Sequence, residues 1–339
     1  MLRVLLVPAA ALYAGAATVR SACYGSGLLR ERQVPARTVS IGNLRVGGMG
    51  KTPLTRWLAG MLHERGIAVA IVSRGYGGHG RGARIVGDGS VLRSDVRESG
   101  DEAVLLARTA GVPVVAGRDR VAAALLAVEK FGSRLILCDD AFQHRRLRRD
   151  LDIVLVDEGE AGGLTRLLPA GPLREPLAAL RRAQVVAVCE RGETLAGTPV
   201  QVAGRLVVRV CLAPVTLVRP AGACWEEVSL GLLAGRRVLA VSGVARPAPL
   251  YASLRDWEAE LVHVLEYPDH HPYDVATWKQ ISHAAKDADL VVTTEKDLVK
   301  LDRFPFERNK LVALRLGVTV DPAETLLEHV VGEHNGASG

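Results

Sequence analysis

The sequence predicts an α/β fold built on a mainly parallel sheet, with a second, smaller α/β domain and an apolar helix ahead of both. Three observations carry this expectation. Strand-like apolar runs alternate with helical patterns from residue 38 onward, as βαβ units require. A glycine-rich turn joins one such run to its helix and carries Lys51 and Thr52. After about residue 205 the alternation starts afresh. The expected organisation is an N-terminal helix over 1–22, a phosphate-loop domain over 23–205 and a smaller C-terminal domain over 206–335. A chain of 339 residues has ample core for this.

The elements follow in order. Val4–Val19 is an uncharged run of 16 residues flanked by Arg3 and Arg20. A spanning helix needs about 20 apolar residues, and Pro8 and several alanines weaken this run further. An interfacial helix is the preferred reading; a signal peptide and a buried first helix are the alternatives. Thr38–Ile41 is strand-like and leads into the glycine turn, after which Thr52–His63 reads as helix. Ile67–Val72, Val112–Ala116, Arg134–Cys138 and Ile153–Val156 are further β-type runs, with Val121–Lys130 helical. Pro-Ala-Gly-Pro-Leu-Arg-Glu-Pro at 169–176 is a rigid, punctuated loop. In the second domain Val238–Val241, Leu261–Leu265 and Leu290–Thr293 are strand-like, with a helical stretch at Asp274–Ala285. The tail from Gly332 reads as frayed.

Composition narrows the function classes. Apolar residues make up 48% of the chain, which excludes disorder. Five scattered cysteines form no Cys-x-x-Cys pair, so neither a zinc framework nor a full disulfide set is expected. The net charge is +6, and residues 1–50 carry six arginines against the single acid Glu31. Such a basic end suits anionic lipid or a phosphorylated substrate. Aromatics are only 4% and do not interleave with the arginines, which argues against nucleic acid. No obligate protein partner is evident.

The chemistry concentrates in five segments. "IGNLRVGGMGKTP" (41–53) aims backbone N–H groups and a helix N-terminus at one point, where phosphate oxygens fit. Lys51 would reach the outer phosphates and Thr52 would hold Mg²⁺. The usual loop spacing asks for glycine at position 45, where this chain has Arg45. "LILCDDAFQH" (135–144) is an apolar strand ending in Asp139 and Asp140, either of which suits a second metal anchor. "ESGDEAVLLAR" (98–108) places Asp101 and Glu102 at a helix start, as an N-terminal acidic turn or as a catalytic base near the γ-phosphate. "YPDHHPY" (267–273) offers two adjacent histidines that point apart, so at most one serves a site. Arginines cluster in "SRGYGG" (73–78), "GRDR" (117–120) and "HRRLRRD" (144–150), where bidentate phosphate contacts are available.

Taken in order, "SIGNLRVGGMGKTP", "SRGYGG", "SGDE", "DDAFQHRRLRRDLDIVLVD", "LLPAGPLREP", "DHHPY" and "TTEKDLVKL" resemble the tetraacyldisaccharide 4′-kinase family of lipid A biosynthesis, over nearly the whole chain. The family's own phosphate loop lacks the outermost glycine. The resemblance implies an ATP- and Mg²⁺-dependent transferase that phosphorylates the 4′-hydroxyl of a tetraacylated glucosamine disaccharide 1-phosphate, giving lipid IVA for lipopolysaccharide. It implies work at the cytoplasmic face of the inner membrane. It also implies an ATP loop of Arg45, Val46, Gly47, Gly48, Met49, Gly50, Lys51 and Thr52, with Lys51 catalytic. Asp101 falls on the family's base and His270 on the residue that orients it. Thr52, Asp139 or Asp140, and Glu102 fall on the metal site. Arg74, Tyr76, Arg120, Gln143 and His144 fall on substrate contacts. "SGVARPAPLYASL" (242–254) departs from the family's Gly-x-x-Asn-Pro-x-x-Phe pattern. A P-loop kinase for a soluble sugar or nucleoside, and a non-enzymatic P-loop switch, are the rival readings. The first has no need of the apolar N-terminus, the second none of Asp101 and His270.

Overall fold

The computed structural model describes residues 6–157, 166–191, 204–222 and 224–332. The start of the apolar run and most of the tail after Gly332 lie outside the described residues. The first element is helix α1 (Val7–Gly25), none of whose residues is buried. That excludes the buried-first-helix alternative. No helix among the described residues is long and apolar enough to cross a membrane. Contacts hold α1 to the body: Tyr13 Oη donates to Arg174 O at 2.9 Å, and Arg145 donates to Ser21 O at 3.1 Å while lying over the Tyr24 ring.

One sheet runs through the whole chain. Its first half holds β1 (Arg37–Asn43), β2 (Val69–Ser73), β3 (Arg84–Asp88), β4 (Pro113–Ala116), β5 (Leu135–Asp139), β6 (Leu151–Asp157) and β7 (Val185–Arg191). The second holds β8 (Leu206–Ala221), β9 (Cys224–Val228), β10 (Arg237–Ser242), β11 (Glu260–Glu266), β12 (Leu290–Thr294) and β13 (Leu311–Asp321). The order is β11-β10-β12-β13-β8-β7-β6-β1-β5-β2-β4-β3, with β9 on β8. All pairs are parallel except β3–β4, β8–β9 and β8–β13. The long β8–β13 ladder therefore reverses strand direction between the halves.

Local chemistry explains why these stretches fold as they do. The β2 and β5 segments are near-continuous apolar runs, as expected of strands covered on both faces, whereas β1 is mixed in composition yet buried from Thr38 to Asn43. Helix α2 (Lys51–Glu64) buries Leu54, Leu58 and Leu62, one stripe at helical spacing. They pack in one cluster with Ile41, Ile71 and Leu137 of the sheet, each leucine contributing about 1.5–3 kcal/mol by burial. α3 (Val96–Ser99) is a single turn capped by Asp95, and α4 (Asp101–Thr109) follows at once. α5 (Arg120–Phe131) is capped by Asp119, whose carboxylate accepts from Val121 N and Ala122 N. In the second half α6 (Ala248–Asp256), α7 (Val275–Ala284), α8 (Glu295–Leu301) and α9 (Ala323–Val331) cover the sheet. Cys23, Cys138 and Cys224 are free thiols.

Candidate active site

The site lies where β1, β5 and β2 end. β1 sits between β5 and β6, with Ile41 in register with Asp139. The glycine turn thus opens beside the strand-end aspartates, in the crevice where open α/β sheets bind ligands. Position 45 needs no glycine because positive φ falls on Gly47 (109°) and Gly50 (85°) instead. Arg45 forms an antiparallel bridge with Leu173, and Val46 N donates to Pro172 O at 3.0 Å. The proline-rich loop therefore pins the outer half of the phosphate loop in extended form. At Gly50 a Cβ would come within 2.5 Å of a Leu212 methyl carbon, so this glycine is required for contact as well as for φ.

The two aspartates part company. Asp139 is buried and accepts from Thr55 Oγ1 at 3.2 Å and Thr52 Oγ1 at 3.5 Å. Burial, then the neighbouring charges of Glu102 and Asp140, push its carboxyl up to about 7. Burial also disfavours the Asp140 carboxylate, but Lys51 and Arg174 outweigh it and hold that carboxyl below the usual range. Arg174 Nη1 reaches both Asp140 oxygens at 3.0 and 2.9 Å, and Lys51 Nζ lies 3.4 Å from one of them. Lys51 also donates to Asn43 Oδ1 at 3.2 Å. A buried carboxylate crowded by two others and faced by threonine hydroxyls fits a hard divalent cation. Mg²⁺ takes only one or two protein carboxylates and keeps water and phosphate as its other ligands. No cage of three or more His, Cys, Asp or Glu ligands occurs among the described residues.

A cavity of about 520 Å³ is lined by Tyr76, Asp101, His270, Tyr273 and Lys300 among others. Gly100 puts Asp101 there. With φ 81° it has no room for a Cβ, which would lie 2.1 Å from Tyr76 O, so the β2 loop and the start of α4 meet at van der Waals contact. The Asp101 carboxylate faces His270 Nδ1 at 2.9 and 3.1 Å and accepts from Lys300 Nζ at 3.0 Å. Burial alone would raise this carboxyl. The His270 hydrogen bond and the charges of Lys300 and Lys296 reverse that and hold it well below the usual carboxylate range. For His270, burial lowers the pKa, but the bond to Asp101 and its charge win and raise it. The adjacent histidines do diverge: His271 Nε2 pairs with Thr277 Oγ1 at 3.2 Å and stacks on Tyr267.

The remaining sequence-predicted residues are spread around this centre. Tyr76 packs its ring 4.7 Å from that of His270. Glu102 pairs with Lys296 at 3.2 Å. Gln143 Nε2 donates to Asn43 O at 2.9 Å, tying the β5 turn to the end of β1. Burial and the nearby Arg120 push His144 down to about 4, so its imidazole is neutral. Arg120 is buried, donates only to Gly117 O, and leaves Nε without a partner. Arg74 is exposed. Four residues escaped sequence reasoning: Asn43, Arg174, Lys296 and Lys300. The lysines lie at i and i+4 of α8, a spacing that puts both on one face. Lys296 contacts Glu102, Asp269 and His270 Nε2 at 3.0–3.2 Å. Lys300 is buried between Asp101 and Asp297. The divergent 242–254 segment has its own attachment: Gly243 N donates to Asp297 Oδ2 at 2.9 Å and Arg246 binds Asp157 at 2.8 Å.

A glycine turn opening on Lys51 and Thr52, strand-end aspartates beside it and a cavity holding the Asp101 carboxylate are the parts that a phosphotransferase dependent on a nucleoside triphosphate needs. The chain belongs to the tetraacyldisaccharide-1-phosphate 4′-kinase family, whose profile matches residues 2–333. It is 39% identical over 336 residues to the tetraacyldisaccharide 4′-kinase of Syntrophus aciditrophicus (strain SB), covering 93% of this chain and 88% of that protein. It is 44% identical over 310 residues to the enzyme of the same name from Anaeromyxobacter sp. (strain K), covering 88% and 81%. An LpxK chain from Aquifex aeolicus, crystallised with ATP, superposes with a TM-score of 0.82 at 32% identity, covering 98% of this chain and 99% of that one. The protein is thus an ATP-dependent kinase family member of lipid A biosynthesis.

Proposed function

We propose that the chain transfers the γ-phosphoryl group of ATP to the 4′-hydroxyl of a tetraacylated disaccharide 1-phosphate. The observation that carries this reading is the placement of Asp101, with His270 and Lys300, in a cavity, next in sequence to Glu102, whose charge acts on the Asp139 that accepts from Thr52. The loop backbone over 45–50 and the start of α2 hold the nucleotide, and Lys51 neutralises charge on the outer phosphates. Thr52 and Asp139 would hold Mg²⁺, with Glu102 and Asp140 near; the ion would supply charge neutralisation at the phosphates. Asp101 accepts a hydrogen bond from the 4′-hydroxyl. The 4′-oxygen then bonds to the γ-phosphorus as the bridging bond to ADP breaks, and the hydroxyl proton passes to Asp101. The transition state is loose, so that proton leaves late, and a carboxylate with a depressed pKa serves as orienting acceptor. Lys300 and His270 keep it ionised and aimed. Arg74, Tyr76, Arg120, Gln143 and His144 line the acceptor's approach. The 23–205 segment acts as the nucleotide domain and 206–335 as the part that supplies His270.

The test is a radiolabelled-ATP assay with purified lipid acceptors, resolved by thin-layer chromatography. Label moving with the lipid is the expected result. Label moving only to soluble sugars or nucleosides, or only to inorganic phosphate, overturns the reading.

The acyl chains set the location. Each buried CH₂ holds the substrate in the bilayer by about 0.8 kcal/mol, so the enzyme goes to the lipid. Helix α1 exposes Leu12 (78%) and Val19 (63%) and is the proposed contact with the cytoplasmic leaflet of the inner membrane. Residues 1–25 fused to a soluble reporter are expected to bring it to the membrane fraction, and Leu12→Glu with Val19→Glu to release it. A fusion that stays soluble at low salt, or is exported and shortened, overturns the interfacial role.

A further inference from the structure

The Lys296 ammonium meets the edge of the His270 ring that Asp101 does not. It lies 3.2 Å from Glu102 Oε1, 3.0 Å from Asp269 Oδ1 and 3.1 Å from His270 Nε2. An ammonium has three N–H donors and no acceptor, so each donor meets one acceptor here. The hydrogen between Nζ and Nε2 therefore belongs to the lysine, and Nε2 presents its lone pair. The other ring nitrogen, Nδ1, faces the two Asp101 oxygens at 2.9 and 3.1 Å. An ionised carboxylate only accepts, so Nδ1 carries the ring hydrogen and donates it.

Both partners are fixed in place. Glu295, next to Lys296, accepts from Arg56 of α2 and from Arg315 at 2.7–3.1 Å, and Thr294 caps α8. His270 takes φ 61°, with its backbone N–H bonded to Gly243 O at 3.2 Å. The charged groups around the ring are Asp101 with its partner Lys300, Glu102, Asp269 and Lys296, and the Tyr76 ring packs on it. Asp101 outweighs burial in raising the pKa of the ring. A second proton, however, could enter only at Nε2, where it would displace the bond to Lys296. Asp269 Oδ1 is 3.8 Å from that nitrogen. Without Lys296 the ring would stand between two carboxylates, an arrangement that favours imidazolium.

We propose that Lys296 is a positioning residue that holds His270 neutral and protonated at Nδ1, so that the proton of the acceptor hydroxyl ends on Asp101. The role rests on the kinase reading above. His270 cannot take that proton from Asp101, because Nδ1 already carries one and an ammonium closes Nε2. An imidazolium in its place would bind the Asp101 carboxylate more tightly and make it a weaker acceptor.

The test uses full-length enzyme with isotope-labelled histidine and reads the ring nitrogens by NMR at neutral pH. The His270 signals are those lost in His270→Gln. Wild-type enzyme is expected to show Nδ1 protonated and Nε2 bare. Lys296→Met should show both protonated, whereas Lys296→Arg, which keeps a donor at Nε2, should keep the wild-type pattern. On the lipid acceptor, Lys296→Met should lower kcat about tenfold, the scale of one hydrogen bond to a charged group. KM for ATP and for lipid should stay within about twofold, and Lys296→Arg should recover part of the rate. A wild-type ring protonated at both nitrogens, or at Nε2 alone, overturns the proposal, and that reading needs no variant to fold. An unchanged ring or an unchanged kcat in Lys296→Met overturns it too, as does a loss carried by KM alone. Wild-type enzyme that labels no lipid overturns the kinase reading, while the ring spectrum still decides whether Lys296 sets the tautomer.

Discussion

Asp101→Ala is expected to lower kcat about a thousandfold, within the range typical of a removed general base, with ATP affinity close to normal. In the proposed reading the nucleotide is held by the loop after β1, whereas Asp101 stands on α4 in a separate cavity. Removing it leaves Lys300 paired with Asp297, 3.1 Å away, so the buried ammonium keeps a counter-charge and the fold survives. His270→Ala should cost less, because His270 faces the carboxylate and acts through it. The double variant should be little worse than Asp101→Ala alone, since members of one catalytic unit are strongly non-additive. The measurement is a double-mutant cycle on kcat with saturating Mg-ATP and lipid, beside nucleotide binding and a thermal melt. Additive losses would mean that His270 acts independently of Asp101. A variant at Asp101 that keeps most of its rate would remove Asp101 from the chemistry.

Lys51→Ala is expected to lower kcat several hundredfold, by analogy with the loss of about 3–4 kcal/mol when one preorganised donor to a developing charge is removed. The structure explains why the loss falls on transfer rather than on folding. Lys51 opens α2 and is bonded to Asn43 at the end of β1 and 3.4 Å from Asp140. Asp140 keeps its two-oxygen contact with Arg174 when Lys51 is gone, so no buried carboxylate is left unpaired. A normal melting temperature with near-normal turnover would sink the phosphate-loop assignment. The expected outcome is a normal melt, a weakened ATP affinity and a rate that neither acceptor nor Mg²⁺ concentration restores.

Legibility in the sequence followed the range of the interactions. The strand–glycine–helix unit was readable because one contiguous segment carries its φ requirements, its capping and its apolar stripe. The strand-end aspartates were readable for the same reason, although their division was not. Asp139 turns to Thr52 and Thr55 while Asp140 turns to Lys51 and Arg174, and only the register of β1 against β5 decides that. Arg45 departs from the usual loop spacing, and its bridge partner Leu173 lies more than a hundred residues away in sequence. Lys296 and Lys300 were present in a quoted motif, but their target is on another helix. The β8–β13 ladder was not anticipated at all. β8 is half-exposed along much of its length, so it shows neither the solid apolar run nor the clean alternation that marks strands by eye. The tie between α1 and the site, through Tyr13 and Arg174, likewise depends on a loop whose sequence says only that it is rigid.

Asp101 and His270 are 169 residues apart in the chain, and this has a consequence for the order in which the protein is made. The ribosome delivers β1, the glycine loop and the β5 aspartates early, whereas His270, Lys296 and Lys300 arrive in the last quarter. Domains fold as they emerge, N-terminal first. A nascent chain can therefore present a nucleotide-binding face well before it has an oriented base. Until α8 has docked against α4, Asp101 lacks the lysine and histidine that keep it charged and aimed, and bound ATP meets only water. Placing His270, Lys296 and Lys300 late in the polypeptide makes the contacts of Asp101 among the last parts of the site to form.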